Sequence, residues 1–157
     1  MKVRKAKKEG IESMAHIAEL RRLHYQEFEP VFWNKAENSE KIGMAFFHHL
    51  IKDSSTHMFV IDGKNGVTGF LIAKEAQSPP VYNPGGSTYV IDDYALANPA
   101  TWSVQGKALL EYIQQYAKEN DWKQLVIVCG DQDTKKKTML EQAGLRIASN
   151  WYTHVID

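Results

Sequence analysis

The chain has 157 residues, with 19 basic and 19 acidic side chains, so it lacks the positive excess that a dedicated nucleic-acid binder needs to neutralise phosphates. Its 43% hydrophobic and 24% charged residues are ordinary for a globular protein, and this length buries a core without covalent staples. A lone cysteine, Cys129, excludes an internal disulfide, and no apolar run reaches membrane-spanning length.

The basic stretch Met1–Gly10 lacks the apolar centre of a signal peptide. The expectation is a soluble cytoplasmic protein in one domain over residues 1–157, with no membrane or nucleic-acid partner. Lys2–Ala6 reads as a first strand. Ile11, Met14, Ala15, Ala18, Leu20 and Leu23 recur at helical spacing and predict a helix over Glu12–Tyr25, ended by Glu29-Pro30. After a loop with Phe28, Phe32 and Trp33, Asn38-Ser39 offers a cap for a second helix carrying Ile42, Ala45, Phe46 and Leu50.

His57–Asp62 and Val67–Lys74 flank Gly63-Lys64-Asn65-Gly66, a hairpin signal. Gln77–Gly86, with three prolines and two glycines, is a loop. Thr88–Leu96 is the next strand. Val104, Ala108, Leu109, Tyr112, Ile113, Tyr116 and Ala117 form an apolar stripe that predicts a helix over Ser103–Asn120. Leu125–Val128 is an unbroken apolar run, the pattern of a central strand covered on both faces. A short helix over Thr134–Gln142 stops at Gly144, and Arg146–Ile156 is a strand-like tail. Thr88 to Val128 therefore forms a crossover between parallel neighbours, and the earlier strands an antiparallel meander.

The stretch from Ile91-Asp92-Asp93-Tyr94-Ala95-Leu96 to Gly106-Lys107-Ala108-Leu109-Leu110 carries the chemistry. A strand ends, a loop follows, and a helix begins with unpaired N–H groups, an arrangement suited to a phosphate or pyrophosphate. Asp92 and Asp93 lie just upstream, where one could act as a base. Adjacent strand residues face opposite ways, so both enter one cleft only if the strand bulges. The six histidines show no ligand spacing, and no metal site is expected. Lys135-Lys136-Lys137 reads as a solvated helix face, and Cys129 as a small core residue.

This order, with Ile91–Leu96, Gly106–Leu110 and Leu140-Glu141-Gln142-Ala143-Gly144-Leu145, resembles the GNAT superfamily of acyl-coenzyme A-dependent N-acyltransferases over nearly the whole chain. Asp92-Asp93-Tyr94-Ala95-Leu96 is also similar to the acidic strand of the spermidine/spermine acetyltransferases, where the first acid is the proposed base. The resemblance implies an α/β (α+β) fold: a mixed sheet of about six to seven strands, four helices, and parallel strands at Thr88–Leu96 and Leu125–Val128 that splay apart. Pantetheine would lie in that gap, along Tyr94, Ala95 and Leu96, with the Leu96 N–H on the thioester oxygen. The loop Thr101–Gly106, including Val104 and Gln105, would hold the pyrophosphate with Lys107 and Ala108. Asp133 stands where an asparagine is common, and the customary late tyrosine falls at Leu140.

The activity so implied is transfer of an acetyl group from acetyl-coenzyme A to a primary amine of a small molecule, by direct attack in a ternary complex. Asp92 is the candidate base and Asp93 the runner-up. Glu27, Phe28, Trp33 and Tyr82 are candidates for the acceptor side, with Trp151 and Tyr152 as further aromatics. Relatives of this kind are often dimers, which makes a homodimer the expected assembly. Of the customary glycines in Thr101–Gly106 only the last is present, and this motivates an alternative: a weak or inactive GNAT-fold module that senses a ligand or docks a partner.

Overall fold

A computed structural model describes residues 1–157. In chain order the elements are β1 (Lys2–Lys5), α1 (Ile11–Phe28), α2 (Ser39–Leu50), β2 (Thr56–Gly63), β3 (Gly66–Ala76), β4 (Thr88–Ile91), β5 (Tyr94–Leu96), α3 (Lys107–Glu119), β6 (Gln124–Ile127) and α4 (Thr134–Gln142). One six-stranded sheet runs β1-β2-β3-β4-β6, with β5 continuing beside β3 where β4 stops. All pairings are antiparallel except β4 with β6, which is the expected parallel crossover.

The central hairpin closes with Gly63 opposite Gly66, which has φ +119, a conformation that glycine adopts without a Cβ clash. Its strands are apolar on both faces because helices cover both. Met58, Val60, Phe70, Ile72 and Ala95 pack with Ile11, Met14, Ala18, Phe47 and Leu50 from α1 and α2. The alternate residues Phe59, Ile61, Leu71, Ala73, Tyr94 and Leu96 pack with Leu109, Leu110, Ile113, Met139 and Leu140 from α3 and α4. A period of two, read on two helix-covered faces, therefore builds both halves of the core.

Several sequence expectations are corrected. In α2 the buried residues are Ser39, Gly43, Phe47 and Leu50, whereas Ile42 and Phe46 are exposed. Phe47 wins the core position by meeting Phe70 edge-on at 5.5 Å. Neither Asn38 nor Ser39 caps that helix through its side chain; the Ser39 hydroxyl donates to Glu19 at 2.6 Å instead. β6 is an edge strand rather than a central one, since nothing pairs with it beyond β4. The tail from Arg146 onward has no secondary structure and lies exposed.

Candidate active site

The strand expected over Thr88–Leu96 is two strands joined by a bulge. Val90 pairs with Lys74 and Tyr94 with Leu71, so four steps on one chain match three on the other, and the extra residue falls at Asp92–Asp93. Arg21 of α1 locks the bulge: Nη1 donates to the Asp92 carbonyl at 2.9 Å and Nη2 to the Asp93 carboxylate at 3.1 Å. Asp93 is thereby committed to an ion pair, and the Asp92 carboxylate is left exposed.

Beyond the bulge the sheet opens. Ile91 still pairs with Ile127, and the Val128 N–H donates to the Ile91 carbonyl, but β5 pairs only with β3. The Ile72 N–H donates to Asp93 and the Ala97 N–H to Thr68, so odd-numbered residues turn their main chain towards β3. By the alternation of an antiparallel ladder, Tyr94 and Leu96 turn their N–H and C=O groups into the gap. Beside it lies a cavity of about 320 Å³ lined by Leu20, Arg21, His24 and Tyr25 of α1, by Ala95, Leu96, Ala97, Pro99 and Trp102, and by Asp133.

The gap is bridged by Lys136. This side chain, 1% exposed, donates from Nζ to the Tyr94 carbonyl at 3.2 Å and the Val128 carbonyl at 2.9 Å. Its ammonium faces the Tyr94 ring at 5.0 Å and the Trp102 ring at 5.4 Å, which compensates part of its desolvation. Burial, reinforced by the nearby Arg21 charge, pulls its pKa down to about 8. The solvated face expected for Lys135–Lys137 therefore fails at its middle residue. The signal was present: Lys136 lies three residues before Met139 and four before Leu140, on the same helix face as both core residues.

The expected loop over Thr101–Gly106 is helical. Pro99–Thr101 forms a 3-10 turn capped by Asn98, Trp102–Gly106 a π-turn, and α3 follows without a break. The Lys107 N–H donates to Trp102 and Val104 carbonyls, so the amide expected at the phosphate is used inside the helix. Trp102, 4% exposed, packs edge-on to Tyr94, whose hydroxyl donates to the Gly106 carbonyl. A Cβ at Gly106 would overlap the Trp102 ring, which is the local reason for glycine there. Thr101 is engaged with Asn98 and Gln105, Val104 is exposed, Lys107 pairs with Glu111, and Ala108 packs on the core.

Asp133 is also occupied. One carboxylate oxygen accepts from the Tyr25 hydroxyl at 2.8 Å, and the other caps α4 through the Lys136 N–H. The Gly130 N–H donates to Tyr25 in turn, and burial beside Asp133 pushes that phenol far above its ordinary value. Burial also lifts the Cys129 thiol to about 11, in keeping with a packing role. Leu140 is a core residue.

Neither Asp92 nor Asp93 lines the cavity, and neither do Glu27, Phe28, Trp33 or Tyr82. Phe28 and Trp33 pack against Tyr25 behind its wall, Glu27 is exposed, and Tyr82 is 72% exposed on its loop. Leu20, Arg21, His24 and Tyr25 form the α1 side of the cavity, with no sequence motif to mark them beyond their position late in α1. No group of three or more His, Cys, Asp and Glu residues is placed to hold a metal ion. No helix is long and apolar enough to cross a membrane.

Two ends of an acyl-coenzyme A ligand can be tested against these residues. The thioester end is met in part: the Leu96 amide turns into the gap, but the Tyr94 carbonyl beside it is already taken by Lys136. The diphosphate end does not fit in this conformation, because the Lys107 amide is spent inside the helix and the Trp102 ring packs against Gly106.

In sequence, no family model matches the chain, and no curated protein matches it. In structure it is similar to the BH1408 protein of Bacillus halodurans (14% identity, 99% of this chain and 100% of that one, TM-score 0.85). It is also similar to a predicted acetyltransferase from Clostridium acetobutylicum solved with acetyl-CoA (16% identity, 98% and 95% covered, TM-score 0.73). A third likeness is to the aminoglycoside 6'-N-acetyltransferase AAC(6')-IG of Acinetobacter haemolyticus (10% identity, both chains wholly covered, TM-score 0.71). Four helices around a mixed sheet that parts beyond a bulge, matched end to end by these structures, give the chain the GNAT fold of the acetyltransferases.

Proposed function

We propose that the chain is an acetyl-coenzyme A-dependent N-acetyltransferase acting on a primary amine of a small molecule. The observation that carries this reading is the parting of β5 from β6 with the Tyr94 and Leu96 main chain turned into the gap, beside the cavity under α1. When bound, the thioester would supply an activated acetyl group to the attacking amine, with the C–S bond breaking to release coenzyme A as its thiolate. Asp92, the free acid of the bulge, takes the ammonium proton through water. Asp93 holds Arg21 and so fixes the bulge. The Leu96 N–H faces the place where negative charge would develop. His24, Tyr25 and Leu20 shape the acceptor side, with Glu27, Phe28, Trp33 and Tyr82 further out. Tyr94, Ala95 and Leu96 would border the donor, and Thr101, Val104, Gln105, Gly106, Lys107, Ala108 and Asp133 would approach its phosphates only after the π-turn rearranges.

A second reading is favoured by one observation: Lys136 and Trp102 already fill the donor gap. In that reading the chain is a GNAT-fold module that does not transfer acetyl groups. Calorimetry with acetyl-CoA, followed by thiol release over an amine panel, decides between the two. Binding and turnover by the native chain carry the first reading. No heat for the native chain, with heat restored in Lys136→Ala, carries the second. If the native chain turns over, Asp92→Asn slows it by roughly 10²–10⁴-fold; equal rates remove Asp92 from the role of base.

A further inference from the structure

We infer that the cavity under α1 binds an apolar α-amino acid by its carboxylate, at Arg21 and His24, and that this is the acceptor in the transferase reading above, on which its role as substrate rests. The unspent polar side-chain groups of that cavity are donors. Its one carboxylate, Asp133, is 7% exposed and accepts at both oxygens, from the Tyr25 hydroxyl and the Lys136 N–H. The Tyr25 oxygen also accepts from the Gly130 N–H, so it is spent as well. Arg21 carries five N–H hydrogens and gives one to the Asp92 carbonyl and one to the Asp93 carboxylate, which leaves the others for a ligand. His24 lies three residues on, along the same side of α1, with its ring leaning on Phe28 at 4.7 Å and its nitrogens unpartnered. In either tautomer it offers an N–H.

This inventory selects between classes of amine. An ammonium-rich acceptor such as a polyamine meets no free carboxylate, because Asp92, Asp93 and Glu27 all lie off the cavity wall. A carboxylate meets two side chains that can donate to it at once. Asp93 shares the Arg21 charge, so the pull on an anion comes from placed hydrogens rather than from unmatched charge. The rest of the wall is apolar, Leu20, Pro99 and Trp102 among it, and the volume of about 320 Å³ lies at the small end for a ligand site. That suits an apolar side chain beside the carboxylate. In the transfer the amine nitrogen bonds to the acetyl carbon as the C–S bond breaks, coenzyme A leaves as its thiolate, and the ammonium proton passes through water to Asp92. The product keeps its carboxylate.

The test is calorimetry of the native chain, without donor, against L-phenylalanine, 3-phenylpropionate, phenethylamine and spermidine. The two carboxylates are expected to bind, phenethylamine to bind more weakly than phenylalanine by roughly tenfold or more, and spermidine to give no heat. His24→Glu, at a half-buried position, should reverse the order of phenylalanine and phenethylamine. Amide shifts of the native chain should move most along Leu20–Tyr25 and Ala95–Ala97. Phenethylamine or spermidine bound as tightly as phenylalanine overturns the inference; so does silence from all four, or an unchanged order in a folded His24→Glu. Should that variant fail to fold, the order and the shifts of the native chain decide alone. Adding acetyl-CoA separates this inference from the reading beneath it. Acetylation of phenethylamine or spermidine ahead of phenylalanine keeps the transferase and overturns the amino acid. Phenylalanine bound in the cavity, with no amine ever acetylated, overturns the transferase and keeps the carboxylate site.

Discussion

Lys136 shows how one side chain can set the state of a cleft. Two carbonyl oxygens and two aromatic faces make up for only part of the hydration its ammonium loses on burial, so the site holds the charge at a cost and the pKa falls. The sign of the consequence follows. Below about pH 8 folded and unfolded chains both hold the proton, and between about 8 and the ordinary 10.5 only the unfolded chain does. Lys136 therefore makes stability rise with pH across that window. Cys129 opposes it from pH 9 upward, because its raised thiol pKa keeps a proton on the folded chain. In a Cys129→Ser background, the urea midpoint should climb from about pH 8 to about pH 10 with Lys136 present and stay level in Lys136→Met. Gly106 gives a second test at this scale. Gly106→Ala forces the Trp102 ring to move, and thermal denaturation should show a loss of about 1–3 kcal/mol, the usual cost of overpacking. The apolar and turn positions of the sequence announce the fold, but a lysine in a run of three reads as solvated unless its helix face is counted.

Among the elements, the bulge between β4 and β5 decides what the acidic pair can do. At the inserted residue Arg21 holds the main chain through the Asp92 carbonyl and ties up the Asp93 carboxylate, which leaves the exposed Asp92 carboxylate as the free acid of the pair. Arg21→Ala leaves the half-buried Asp93 without its partner. A loss of about 1–3 kcal/mol is expected in denaturant unfolding, together with faster amide exchange through Asp92–Tyr94. If the chain transfers acetyl groups, its turnover should fall as well. Arg21 was illegible in the sequence because it meets the bulge from 71 residues away, through a helix whose pattern marks only its buried face. The helix over Ser103–Asn120 was legible from its stripe of Ala108, Leu109, Ile113 and Ala117, although Val104, read as part of that stripe, is exposed. That its first turn is a π-turn starting at a buried Trp102 was not, since bulky Trp102 signals burial only once Tyr94 and Lys136 surround it.

For the whole molecule, the gap beside β5 links binding to folding. If acetyl-CoA binds the native chain, its thermal midpoint rises with ligand concentration, because a ligand that binds only the native form stabilises it by mass action. Scanning calorimetry over a hundredfold range of acetyl-CoA reads the rise, and a midpoint that does not move removes the donor from the gap.

The sequence by itself determined the four helices, the hairpin and the parallel crossover, but not that Thr88–Leu96 divides into two strands or that Arg146–Ile156 forms none. The helices, hairpin and crossover rest on local periodicity and turn chemistry, which neighbouring residues carry between them. Only the tertiary structure decided that the sheet order makes β6 an edge, that the acidic pair sits in a bulge clamped from α1, and that Lys136 and Trp102 occupy the gap where a donor would lie. Those outcomes depend on contacts between segments far apart in the chain, whose geometry no local pattern encodes.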